Sequence, residues 1–309
     1  PVASPRPRGA ARHAMLPATS EFPADLPRLP PRDRDSSKRD YGRVVIVGGA
    51  PGMAGAPALA AMAALKSGAG LVEVLVPEAV ATITAGFDPC MMTRSLANAA
   101  DGTLGDTAAP LLFERLAACT VAAVGPGMGR SAGVATIVRR LWRDLPQPTV
   151  FDADALWALA QMGPAKRGQH AGPRVLTPHA GEMLRLLGHD PASLRSGDRV
   201  WLEAMAVEMA AMIDAIVVLK GPATLVTDGT RQAHTETGNP GMATGGTGDV
   251  LTGVIAALLA QGLSPFDAAR LGAWVHGRAG DLAAADLGEI SMTARDLLER
   301  LPTAFHGRQ

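Results

Sequence analysis

Gly238-Asn239-Pro240-Gly241-Met242-Ala243-Thr244-Gly245-Gly246-Thr247-Gly248-Asp249 is the stretch that decides how this chain is read. Five of its twelve residues are glycine, and it runs straight into Val250-Leu251-Thr252-Gly253-Val254-Ile255-Ala256-Ala257-Leu258-Leu259. Apolar residues at 250, 251, 254, 255, 258 and 259 have the spacing of one buried helix face, which places a helix over 250–261. A glycine-rich loop feeding a helix start aims free backbone N–H groups and the positive end of a dipole at one point. Such a point suits phosphate or another developing anion. Asp249 falls at the loop–helix junction, where the dipole favours an ionised carboxylate, ready to act as a base. An anion hole with a base beside it suits proton removal from a hydroxyl that attacks a phosphate. The plainer alternative is a tight connection, since the loop has neither the Lys-Ser/Thr of a P-loop nor G-x-G-x-x-G.

Upstream, Gly42-Arg43-Val44-Val45-Ile46-Val47 is a buried strand by its β-branched run, followed by the loop 48–55 and a small-residue helix over 56–67. The pattern then alternates. Strands are expected at 70–76, 120–124, 148–151, 173–176, 215–219 and 223–227. Helices are expected near 107–117, 131–143, 181–187, 198–211, 265–285 and 293–300. Such alternation builds right-handed βαβ units and a largely parallel sheet covered on both faces, here as one domain over 37–309. Ligands of such sheets bind beyond the carboxyl ends of the strands. Four loops there carry unusual residues: Gly125-Pro126-Gly127-Met128-Gly129, Asp152-Ala153-Asp154, Thr177-Pro178-His179-Ala180-Gly181-Glu182 and Lys220-Gly221-Pro222-Ala223-Thr224. Each also has a structural reading: Thr177-Pro178 as a helix start, 220–222 as a hairpin turn, Asp152 or Asp154 as a cap.

One loop supports a different enzyme. Gly127-x-Gly129-x-x-Ala132 fits a relaxed dinucleotide fingerprint, and Asp152 stands where a ribose-binding acid belongs. An NAD-dependent oxidoreductase is therefore the runner-up, although it leaves the 238–249 loop without a role.

Composition narrows the classes. The 309 residues carry 29 basic and 29 acidic side chains, which points to no nucleic-acid or anionic-membrane partner. Cys90 and Cys119 form no C-x-x-C pair, as expected of reduced thiols in the cytoplasm. No apolar run is long enough to span a bilayer. Residues 1–36 hold eight of the 24 prolines among scattered arginines, and read as a flexible leader. Its first carboxylate is Glu21, as in an Arg-rich transit peptide, while Met15 suggests a later start; an upstream extension is the plainer expectation.

The run Asn239-Pro240-Gly241-Met242-Ala243-Thr244-Gly245-Gly246-Thr247-Gly248-Asp249-Val250-Leu251-Thr252-Gly253 closely resembles the G-[ST]-G-D loop of the ribokinase-like kinases, in the form found in NAD(P)H-hydrate dehydratases. Gly-Gly-x-x-Gly-x-Ala-Gly-Ala at 48–56, Ser-Gly-Ala-Gly-Leu-Val at 67–72 and Gly-Pro-Gly-Met-Gly at 125–129 match that family. So do Thr-Pro-His-x-Gly-Glu at 177–182, Leu-Lys-Gly-x-x-Thr at 219–224 and Met-Thr-Ala-Arg-Asp-Leu-Leu near the end. The likeness spans about residues 30–304. One departure is Ser37-Lys38-Arg39, where the family usually has His-Lys-Gly.

The resemblance implies a ribokinase-like three-layer α/β/α sandwich with a mostly parallel central sheet. It implies a repair reaction in which the S epimer of hydrated NADH or NADPH loses water at the expense of ADP or ATP, through phosphorylation of the hydroxyl and loss of phosphate. Asp249 would be the base, with Gly246, Thr247 and Gly248 around the migrating phosphoryl. Ala56, Gly127, His179 and Asp249 would contact the hydrate. Lys220, Gly221, Pro222, Ala223, Thr224 and Gly248 would line the nucleotide pocket, and Glu182 would help place a magnesium ion. A cytoplasmic homotetramer working beside a separate NAD(P)H-hydrate epimerase is also implied. A vitamin or sugar kinase of the same superfamily is the alternative within that fold.

Overall fold

The computed structural model describes residues 22–163, 167–193, 195 and 197–306. Its strands are β1 (Arg43–Val47), β2 (Leu71–Pro77), β3 (Met92–Leu96), β4 (Val121–Val124), β5 (Thr149–Phe151), β6 (Arg174–Leu176), β7 (Ile216–Leu219), β8 (Leu225–Thr227) and β9 (Gln232–His234). They form one sheet in the order β3-β2-β1-β4-β5-β6-β7-β8-β9. Pairing is parallel from β3 across to β7 and antiparallel through β8 and β9. The helices are α1 (Gly55–Lys66), α2 (Glu78–Ala85), α3 (Ala109–Ala117), α4 (Ala132–Asp144), α5 (Asp154–Ala160), α6 (Ala180–Leu186), α7 (Arg199–Ile213), α8 (Thr247–Ala260), α9 (Pro265–Leu287) and α10 (Ala294–Ala304).

Alternation along the strands splits the core in two. Val44, Ile46, Val74, Val121 and Val150 pack under α1, α8, α9 and α10. Val45, Val47, Val124, Phe151 and Leu176 pack under α3 to α7. This is the three-layer α/β/α sandwich expected from the sequence. Elements that the sequence did not announce are short or polar: β3 and β9 are half-exposed edge strands, and α2 and α5 are two turns long.

The strand order reverses between β1 and β4, so the loops after these strands diverge around one crevice. They touch at its floor, where Gly49 N donates to the Pro126 carbonyl at 2.9 Å. A β-carbon on Gly48 would stand 2.2 Å from that same oxygen.

The expectation of a leader through residue 36 needs correcting. Its first 21 residues lie outside those described, but from Phe22 onward the chain lies against the body of the protein. The Phe22 ring is 4.3 Å from that of Trp274 on α9, and Leu26 is only 6% exposed in the core. Arg270 pairs with Asp25, and Arg32 donates to the Gly68 carbonyl at 2.7 Å while covering the Tyr41 ring. Ser37, the departure from the family pattern, caps its own turn by donating to Asp40, and the neighbouring Lys38 carbonyl presses on Gly70 just before β2. That is the amino edge of the sheet, opposite the crevice. No helix among the described residues is long and apolar enough to cross a membrane. Cys119 is buried and Cys90 is exposed, and both are free thiols.

Candidate active site

Six loops converge beyond the carboxyl ends of the strands. After β1 and β4, Ala56 and Gly127 come together: a β-carbon on Gly127 would lie 3.1 Å from that of Ala56. After β5, Ala153 takes φ 50° and ψ −118°, a left-handed conformation costly for any residue with a β-carbon. The effect is to send its two neighbours in different directions. Asp152, 1% exposed, turns inward and accepts from Lys220 Nζ at 2.9 Å and from Thr252 Oγ1 at 2.8 Å. Asp154 turns to the glycine loop and accepts from Gly129 N and Arg130 Nε, both at 2.9 Å. Both oxygens of Asp152 are therefore already engaged within the protein, by Lys220 at the end of β7 and Thr252 of α8. This weakens the dehydrogenase reading, in which that carboxylate would serve a ribose.

After β6, the helix cap is His179 rather than Thr177. Its Nδ1 accepts from Gly181 N at 3.0 Å and Glu182 N at 3.3 Å, while Glu182 Oε2 accepts in return from His179 N at 2.9 Å. With Nδ1 occupied as an acceptor, the proton of the neutral ring is on Nε2. Burial and the nearby Lys220 charge hold His179 below the usual imidazole range.

The 220–224 stretch is both readings at once, for it is the β7–β8 hairpin connection and a lip of the crevice. Arg199 fixes it, donating to the carbonyls of Leu219, Lys220 and Ala223 at 3.1–3.2 Å. Gly221, Pro222 and Ala223 are exposed, whereas Lys220 is largely buried. Desolvation alone would lower the Lys220 pKa, but the Asp152 and Glu182 carboxylates outweigh it and hold the ammonium protonated. Glu182 Oε2 lies 3.7 Å from Lys220 Nζ.

The 238–249 loop is anchored on α9. Gly238 N and the Asn239 amide donate to Asp281, each at 3.0 Å, and His276 Nε2 donates to the Thr247 carbonyl at 2.8 Å. Burial pushes the His276 pKa down to about 4, so the ring is a neutral strut. Helix α8 begins at Thr247, three residues before its apolar stripe, because Gly246 adopts φ 94° as the N-cap. A β-carbon there would also meet Leu59 at 2.7 Å and Ala294 at 2.9 Å. Thr247, Gly248 and Asp249 thus form the first turn, whose backbone N–H groups have no partner within the helix.

Asp249 differs from its expected state. Its pKa is pushed up to about 7, first by burial, then by the carboxylates of Asp152, Asp154 and Glu182, against the lowering effect of Lys220. A helix dipole is worth about 0.3–1 kcal/mol, and the opposing shift is several times larger, so burial wins.

Glu182, expected to help place a magnesium ion, has both carboxylate oxygens near partners within the protein. One oxygen caps α6, the other faces His179 Nε2 at 3.5 Å, and the Lys220 ammonium beside them repels a second cation. No group of three or more metal-ligating side chains exists among the described residues. A cavity of about 430 Å³ at the amino ends of β6 and β7, lined by His170, Arg174 and Asp228, includes none of the site loops. Thr252, Arg199 and His276 were not singled out individually in the sequence; Asp152 and Asp154 were, by the Asp-Ala-Asp after a strand, and Asp152 also as the ribose-binding acid of the dinucleotide fingerprint.

The family model described as NAD(P)H-hydrate dehydratase matches residues 44–303. The chain is 48% identical over 276 residues to the bifunctional NAD(P)H-hydrate repair enzyme Nnr of Moorella thermoacetica, covering 89% of this chain and 51% of that protein. It therefore spans about half the length of the bifunctional relatives it matches. The ADP-dependent (S)-NAD(P)H-hydrate dehydratase of Neisseria meningitidis serogroup B is 38% identical over 308 residues, with 95% and 96% of the two chains covered. Among solved structures, the ADP/ATP-dependent NAD(P)H-hydrate dehydratase of Bacillus subtilis, co-crystallised with ATP and Mg2+, superposes with a TM-score of 0.76 at 27% identity, covering 91% of this chain and 95% of that one. Its loops, its sheet and these relatives agree: the chain belongs to the NAD(P)H-hydrate dehydratase family, with the ribokinase-like fold.

Proposed function

We propose that this protein dehydrates the S epimer of hydrated NADH or NADPH, consuming ADP or ATP and releasing AMP or ADP with phosphate. The observation that carries the reading is Asp249 in the first turn of α8, a carboxyl that titrates near neutrality beside unpaired backbone N–H groups. As the carboxylate it takes the proton of the hydrate's hydroxyl. The freed oxygen attacks the terminal phosphorus of the nucleotide, and the bond from that phosphorus to the leaving nucleotide breaks. The N–H groups of Thr247 and Gly248 receive the charge of the migrating phosphoryl. The C–O bond to phosphate then breaks as a proton leaves the adjacent carbon, restoring the double bond. Phosphate is a far better leaving group than hydroxide, which is why a nucleotide is consumed.

Ala56, Gly127 and His179 line the hydrate half of the crevice in this reading, and Lys220 to Thr224 with Gly248 the nucleotide half. Magnesium enters on the nucleotide phosphates, which need few protein ligands. ADP is the favoured donor, by similarity to the Neisseria protein. A cytoplasmic homotetramer acting beside an NAD(P)H-hydrate epimerase completes the proposal. Incubating hydrated NADH with ADP, ATP or neither, and following return of reduced-nicotinamide absorbance, tests it. Recovery only with a nucleotide is expected; a stable phosphorylated product would point instead to a kinase, and no reaction would remove the reading.

A further inference from the structure

The best-buried carboxylate of the crevice has no part in the chemistry just described. Asp152 accepts from Lys220 Nζ at 2.9 Å through one oxygen and from Thr252 Oγ1 at 2.8 Å through the other. These partners come from two different elements, one a strand end and one a helix. Lys220 ends β7, and Thr252 lies in the second turn of α8, one turn beyond Asp249. The ammonium so held sits under the first turn of α8: a β-carbon on Gly248 would be 3.2 Å from Lys220 Nζ and 3.6 Å from Asp152 Oδ2. A lysine alone at this depth would be free to swing toward Glu182, already 3.7 Å away.

We propose that Asp152 is a positioning residue for the reaction: it fixes the Lys220 ammonium beneath Gly248 and ties α8 to the sheet through Thr252, so that Asp249 meets a set pair of opposite charges. The proposal rests on the reading of Asp249 as the base. Around Asp249, β5 and α5 supply Asp152 and Asp154, α6 supplies Glu182, and the end of β7 supplies Lys220. Asp154 is itself paired with Arg130. From α9 the neutral His276 holds the Thr247 carbonyl, while α1 and α10 present Leu59 and Ala294 to Gly246. Asp152 raises the affinity of Asp249 for a proton and Lys220 lowers it, so the two partners of one ion pair act on the base in opposite senses.

That opposition separates positioning from mere structural support. In full-length protein, Asp152→Asn should move the acid limb of the kcat/KM profile down by about one pH unit, and Lys220→Met should move it up by about as much. The double variant should return it toward the wild-type position. Loss of a structural contact would weaken activity in both variants without moving the limbs apart. Carboxylate NMR signals of isotope-labelled aspartate, with Asp249→Asn to identify the Asp249 signal, read the same shifts without substrate. An inactive wild type whose signals still shift as expected would count against the repair reaction and not against the positioning. Should D152N fail to fold, Thr252→Val, which frees one Asp152 oxygen while leaving both charges in place, decides: a displaced acid limb supports the positioning and an unmoved one overturns it. Limbs that move together, or an unmoved Asp249 signal, overturn the proposal.

Discussion

The Lys220 ammonium occupies the space that a side chain at residue 248 would need: a β-carbon on Gly248 would stand 3.2 Å from it. The ammonium cannot drop away freely, because Asp152 holds it at 2.9 Å. Glycine at this position therefore reflects the buried ion pair as much as the approach of a ligand. Gly248→Ala should lower kcat/KM by up to roughly tenfold, since the ammonium must give by a few tenths of an ångström, less than the displacement of about 1 Å that can cost a hundredfold at a positioned site. Melting temperature should change little. Steady-state kinetics beside a thermal melt checks both, and an alanine variant with normal turnover would refute the crowding.

Asp249 makes two predictions of opposite sign. Its carboxylate is the working form, and its pKa lies at about 7, so activity should fall as pH drops through neutrality rather than near pH 4. Asp249→Asn should cost about 10²–10⁴-fold in turnover with nucleotide binding retained. Stability should move the other way. A carboxyl whose pKa is higher in the folded state binds more protons there, so the fold loses stability as pH rises from its unfolded value toward 7. Asp249→Asn removes that loss, so it should stabilise the fold at pH 8 by roughly 1–3 kcal/mol and much less at pH 4. Melts at the two pH values decide this.

The fold was legible wherever β-branched runs are buried on both faces, as in Val44–Val47 and Val72–Val76. Edge strands escape that signal. Met92–Leu96 presents mostly exposed residues, and its pairing to β2 rests on backbone geometry that sequence does not print. The glycine loops pointed to the crevice because close approach and positive φ need glycine at Gly246 and Gly127. The charged network did not show, since Asp152, Lys220 and Thr252 are brought together only by strand order. For the same reason the local dipole argument misjudged Asp249: the three carboxylates that raise its pKa come from remote segments.

His179 caps α6 and is also the residue proposed to touch the hydrate. The two roles can be separated. His179→Ala loses the cap, at a typical cost of about 1 kcal/mol, whereas His179→Asn keeps a capping acceptor. Both should weaken binding of NADPH, a product-like ligand, while only the alanine variant lowers the melting temperature. Calorimetric titration with NADPH and with AMP reads the two halves of the crevice. Equal loss of both ligands would defeat the division into hydrate and nucleotide halves.

The segment 22–36 gives the last prediction. Leu26 is buried at 6% exposure, the Phe22 and Trp274 rings lie 4.3 Å apart, and Arg32 bridges to Gly68 at 2.7 Å. Burying one such apolar side chain is worth about 1.5–3 kcal/mol, and in a domain of this size each kcal/mol moves the melting temperature by roughly 2–4 °C. A chain beginning at residue 37 should therefore melt several degrees below one beginning at residue 22. The crevice lies at the other edge of the sheet, so kcat at a temperature where both are folded should be the same. Asp25→Ala should account for little of the difference, because its pair with Arg270 is exposed to solvent and such pairs contribute weakly. Leu26→Ala should account for most of it. Equal melting temperatures for the two chains would mean that these packing contacts are not maintained in solution.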